Sequence, residues 1–155
     1  MKRIGSQLGF TLPEVIVAGS IMIILCVGVL TAYTHVINLN RGNHIRAQAL
    51  TVLQREVEEF RSFRFVPGTT DARLNAGQYP NYKVGVPSTS GGIPFNISVT
   101  VDNNPYDAAG SPLDAVSNAD CRIKEITIEA VLQNPETGWL ADLQTRVTIQ
   151  RVRSN

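Results

Sequence analysis

Hydrophobic and polar positions along the chain follow three different rules. Residues 15–34 (VIVAGSIMIILCVGVLTAYT) form an uncharged, mostly apolar run, and no Asp, Glu, Lys or Arg occurs anywhere from 15 to 40. As a helix, 20 such residues rise about 30 Å, enough to cross a hydrocarbon core. Gly19 and Gly28 fit that reading, because glycine is common in membrane helices. Further on, Ile45, Ala49, Leu50, Val52, Leu53, Val57 and Phe60 recur at spacings of three and four. Arg46, Gln54, Arg55, Glu58, Glu59 and Arg61 lie between them. This spacing predicts an amphipathic helix with one apolar stripe. No proline interrupts Glu14 to Val66, so a single helix of about 50 residues is expected, ended by Pro67-Gly68. Residues 38–43 (NLNRGN) are its weakest stretch and the natural place for a bend.

After Pro67 the period changes to two. Residues 67–94 are rich in Gly, Pro, Ser, Thr and Asn, with one short strand expected at 82–86. Phe95, Ile97, Val99 and Val101 then alternate with Asn96, Ser98 and Thr100, as in a half-buried strand. A polar loop covers 102–120. Ile126, Ile128, Ala130 and Leu132 predict a second such strand, residues 134–138 (NPETG) a turn, and Leu143, Thr145, Val147 and Ile149 a last strand. The result is an antiparallel meander of three or four strands. Its apolar face needs a cover, and the stripe from Ile45 to Phe60 is the one segment suited to supply it. The expected fold is therefore α+β: a long N-terminal helix with a membrane-spanning half and an amphipathic half, the latter packed on a small antiparallel sheet. The expected divisions are 1–9 as a short polar start, 10–37 as the apolar helix, 38–66 as the amphipathic helix and 67–155 as the sheet domain.

Composition refines this only at a few points. The chain has 155 residues and a formal net charge of +1, which gives no pull toward nucleic acid or an acidic substrate. Cys26 lies in the apolar run and Cys121 in the polar part, so they form no disulfide framework and do not reveal a redox compartment. His35 and His44 lack partners at metal-ligand spacing, which favours interfacial or solvated roles. Asp102, Asp107, Asp114 and Asp120 give the loop an oxygen-rich character that suits a hard cation, but EF-hand spacing is missing. A solvated loop is the expectation there, and no metal or other cofactor is expected. Trp139 and Leu140 read as hairpin packing, and Gly28 with Ala32 as a small-residue pair of low information. No nucleophile–base set, phosphate loop or paired-carboxylate cleft is legible, so the chain is not expected to be an enzyme.

The first fourteen residues carry the most specific signal. A polar, basic start with Lys2 and Arg3 leads into Gly9-Phe10-Thr11-Leu12-Pro13-Glu14 and then the apolar run. This arrangement resembles the N-terminal signal of type IV prepilins and pseudopilins; motif and architecture resemble that family over 1–65, and the remainder does so only in outline. The resemblance implies a pilin-like fold. It also implies a leader of residues 1–9, cleavage after Gly9 by a prepilin peptidase, and methylation of the new amino group on Phe10. Removing Lys2 and Arg3 would take formal net charge from +1 to −1. Glu14 is the one ionisable group at the edge of the apolar segment, where a charge is costly unless it has a use. In the family it is thought to meet the amino terminus of a neighbouring subunit. Expected partners are the peptidase, other pilin or pseudopilin subunits, the assembly platform with its ATPase, and the membrane; nucleic acid enters only for an uptake pilus. The expected location is the inner (cytoplasmic) membrane, N terminus in the cytoplasm, then an extracytoplasmic filament. Pro13 departs from the usual aliphatic residue but is tolerated in a first helical turn. The proline-free apolar helix and the lack of a cysteine pair closing a C-terminal loop lean toward a minor pilin or pseudopilin. An ordinary signal peptide has a shorter apolar region and a small-residue cleavage site, and a plain signal-anchor leaves Gly9, Phe10 and Glu14 unexplained. The alternative function is a membrane-anchored extracytoplasmic binding or adhesion module, which would not need Glu14.

Overall fold

Helix α1, Leu12–Ser62, is one element of 51 residues in the computed structural model, which describes residues 9–67, 69–108, 110–135 and 144–153. The basic start with Lys2 and Arg3, most of the turn at 134–138, Trp139, Leu140 and Leu143 lie outside the described residues. Residues 38–43 are helical like the rest of α1. Contacts divide the chain into two compact units, with the division between Arg41 and Gly42.

In the first unit every residue from 12 to 41 is exposed, the large apolar ones included, and α1 is long and apolar enough to cross a membrane. Thr31 and Ser20 satisfy their hydroxyls locally, on the carbonyls of Val27 and Ile16 at 2.9 Å each. This is how polar side chains are accommodated in an apolar helix.

In the second unit, Gly42, Ile45, Ala49, Val52, Leu53, Glu56, Val57 and Phe60 form the buried stripe of α1. They meet a sheet of four strands in sequential antiparallel order: β3 (Gly77–Pro87), β4 (Pro94–Asp102), β5 (Ile123–Leu132) and β6 (Gln144–Val152). Phe95, Ile97, Val99 and Val101 from β4 and Ile126, Ile128, Ala130 and Leu132 from β5 are buried in register, Ile97 opposite Ala130 and Val99 opposite Ile128. The period-two pattern dictates this, since a one-residue slip would turn every one of these side chains outward. A two-residue ribbon, β1 (Phe65–Val66) with β2 (Thr69–Thr70), and a 3-10 turn at Ala72–Leu74 close the end of the core with Phe63, Phe65 and Leu74.

Three expectations need correction. The helix stops at Ser62 rather than Val66, because Phe63 and Phe65 turn into the core and the Arg151 guanidinium donates to the carbonyls of Phe60 and Phe63 at 2.7 and 2.9 Å. Those carbonyls sit at the helix C-terminus, where intrahelical partners are missing. Leu50 is not in the buried stripe; it is 45% exposed and flanks an open groove with Val57, Val147 and Ile149. Glu56 takes a core position instead, because Lys83 reaches it from β3 at 2.8 Å. Finally, β3 is eleven residues long, not five. Its register with β4 shifts twice, and Asn81 and Gly85 hold positive φ, so neither a clean alternation nor a strand-like composition marked it.

Candidate functional site

The helix start is built from the residues that the sequence singled out. Thr11 precedes the first helical residue, and its carbonyl accepts from the amides of Glu14 (3.0 Å) and Val15 (3.2 Å). The Glu14 carboxylate in turn reaches back to the Thr11 amide at 3.5 Å. Thr11-x-x-Glu14 is thus a capping box with its carboxylate half in place, and Pro13 sits in the first turn where its missing donor is not needed. Glu14 thereby gains a local task that the sequence reading did not assign, although the T-x-x-E spacing was available as a signal. A carboxylate there also faces the positive end of the helix dipole.

Gly9 and Phe10 are both exposed, Phe10 at 82%. A side chain at Gly9 would meet no atom of the described residues within 4 Å, so none of their packing requires glycine there. Phe10, Glu14, Val15, Ala18, Gly19 and Met22 together line a shallow depression along the helix start. Gly28 is equally open. Cys26 is an exposed free thiol, and Cys121 a buried one whose Sγ donates to the carbonyls of Ile123 (2.9 Å) and Asn103 (3.2 Å). Burial pushes the Cys121 thiol up from its ordinary value.

Comparison with protein-family models, curated proteins and solved structures yields no match.

The four loop aspartates are not brought together. Asp102 accepts from the Asn104 amide (2.8 Å), Asp107 from the Asn104 side chain (3.3 Å) and Asp120 from the Ser117 hydroxyl (2.7 Å), while Asp114 is exposed. Among the described residues no group of three or more His, Cys, Asp and Glu side chains is placed to hold a metal. His44 is exposed and pairs with Gln48 at 2.8 Å; the Gln48 carbonyl oxygen accepts from the Ile93 amide (3.1 Å) and the Ser88 hydroxyl (3.2 Å). The Ile93 donor fixes the Gln48 orientation, so Gln48 presents its amino group to His44, a structural pairing that ties the β3–β4 loop to α1.

Electrostatics concentrate on the sheet side. Lys83 bridges Glu56, buried, and Glu59. Burial alone would lower the Lys83 pKa, but its hydrogen bonds to both carboxylates outweigh that and raise it. Asp71 receives two bonds from the Arg73 side chain and one from its amide, and these hold its pKa at about 2. The same Arg73 guanidinium lies 3.8 Å from the Phe63 ring centroid, a cation–π contact at the end of the core.

Proposed function

We propose that this chain is the precursor of a structural subunit, a minor pilin or pseudopilin, in a type IV pilus or type II secretion-like filament. In this reading a prepilin peptidase removes residues 1–9 and methylates Phe10. The helix from Phe10 first anchors the protein in the inner membrane, N terminus cytoplasmic, and then becomes part of a filament core outside the cytoplasm. Its partners are the peptidase, other subunits and the assembly platform with its ATPase. The chain acts by assembly rather than catalysis.

The observation that carries this reading is the junction at residues 9–14. An exposed glycine that no described residue packs against, followed by Phe10 and by a carboxylate in the first turn of a helix whose residues 12–41 are all exposed, suits cleavage and subunit pairing. A side chain absent at Gly9 lets a protease approach the peptide bond closely. A carboxylate at the edge of an apolar run is expensive in hydrocarbon and is offset when an amino group pairs with it.

The capping role of Glu14 must be separated from the pairing role. Glu14→Gln does so, because glutamine also serves at this position of a capping box while carrying no charge. In a strain with an active peptidase and assembly system, Glu14→Gln should be processed and stay in the membrane but be missing from sheared filaments. Recovery of the variant in filaments at the wild-type level would contradict the proposal.

A further inference from the structure

The connection between β4 and β5, residues 103–122, carries Asp107, Asp114 and Asp120, yet a lysine organises it. Lys124 stands on β5 in phase with Ile126 and Ile128, so the strand turns it inward, where it is completely buried. Among the described residues no carboxylate lies within ion-pair distance of its ammonium. Instead Nζ donates to Oδ1 of Asn103 and to Oδ1 of Asn118 (2.6 Å), and it lies 5.6 Å from the Phe65 ring centroid. Burial pushes the Lys124 ammonium down from the ordinary lysine value.

These two asparagines reach several separate points of the connection. Asn103 donates its side-chain amide to the Val116 carbonyl (2.9 Å) and to Asn118 Oδ1 (3.1 Å), and its backbone amide to the Leu113 carbonyl (3.0 Å). Its own carbonyl accepts from Cys121 Sγ, and Asn118 passes the network on to Asn75 Oδ1 at 3.1 Å. No buried side-chain nitrogen or oxygen among the described residues lacks a hydrogen-bond partner. The aspartates, in contrast, bond locally to Asn104 and Ser117 or face solvent.

We propose that Lys124 is a tethered cation that locks the β4–β5 connection, supplying from the strand itself the central positive charge that oxygen-lined loops commonly take from a bound divalent ion. The ordered form of this loop, and the surface it presents, are then independent of calcium. Amide side chains suit the task, since their carbonyl oxygens accept from the ammonium while the Asn103 nitrogen holds the Val116 carbonyl and the Asn118 nitrogen the Asn75 side chain.

The test is amide hydrogen exchange on the full-length protein in detergent. In wild type, protection at Asn103 and Cys121, whose amides bond to the carbonyls of Leu113 and Ser117, should be the same in calcium and in EDTA. Lys124→Met should speed exchange at these two amides by about tenfold or more, with a smaller effect on the β4 and β5 ladder. Should that variant unfold the whole sheet, Asn118→Ala keeps the lysine and removes one acceptor, and it should loosen the same amides alone. Loss of protection in EDTA by the wild type would overturn the lock, as would unchanged exchange in Asn118→Ala.

Discussion

The two parts of α1 are one helix in backbone and opposites in chemistry. From Leu12 to Arg41 apolar side chains surround the axis on all sides and every residue is exposed; from Gly42 to Ser62 a single stripe is apolar and buried against the sheet. The second part needs its apolar residues to fold this chain. In the first part no apolar residue supports the fold, so its composition answers to something outside the chain, namely lipid and then neighbouring subunits under the function proposed here. A helix apolar on all sides finds its solvent in a membrane or a packed assembly.

Deleting the same amount of side chain from each part breaks or sharpens this contrast most strongly. Leu53→Ala empties a fully buried position and should cost about 2–5 kcal/mol of stability, measured by exchange of the slowest β4 and β5 amides in detergent. Ile24→Ala, at a 70% exposed position, should change the same amides by less than about 0.5 kcal/mol. Equal costs would erase the distinction.

The next effect concerns the one carboxylate inside the buried stripe. Lys83→Met removes the nearer of the two cations beside buried Glu56, Arg55 staying at 3.9 Å, and should destabilise by about 3 kcal/mol, while Glu56→Leu with Lys83→Met should recover most of the loss. Both are read by denaturant unfolding. The raised Lys83 pKa also fixes a sign. Its stabilising contribution is fully present below the ordinary lysine value and is lost as pH rises through the higher folded value. Arg151→Ala, which strips two donors from the carbonyls at the end of α1, should cost about 1.5–3 kcal/mol in the same assay. The smallest effect is at Asp71. Its ion pair contributes above the ordinary value of 3.8 and is lost only as pH falls through about 2, which a carboxyl NMR titration would follow.

Much of this fold was legible because two periods are hard to mistake. The spacing of Ile45 to Phe60 and the alternation of 95–101 and 126–132 placed the core, and the pattern for Lys124 was there too, in phase with Ile126. A lysine at an inward position ordinarily reads as a break in the pattern rather than part of it. Leu50 and Glu56 exchanged places for a related reason: helical spacing alone does not reveal that Lys83 waits across the interface for a carboxylate. Strand β3 was mostly invisible, since Pro80, Asn81 and Gly85 belong to its bulges and read as loop. At the candidate site the residues from 9 to 14 stand out in the sequence as a group at the start of the apolar helix. The capping geometry of Thr11 and Glu14 is less evident there, because a carboxylate beside an apolar run stands out for its charge before its spacing from Thr11.

The proposed origin of the contrast is tested most directly at residue 9. Co-expression with an active prepilin peptidase, followed by intact-mass measurement, should give a chain that begins at Phe10 with a methylated amino group, and Gly9→Leu should abolish the change. A chain that keeps its first nine residues beside a peptidase that processes a control substrate would contradict the account.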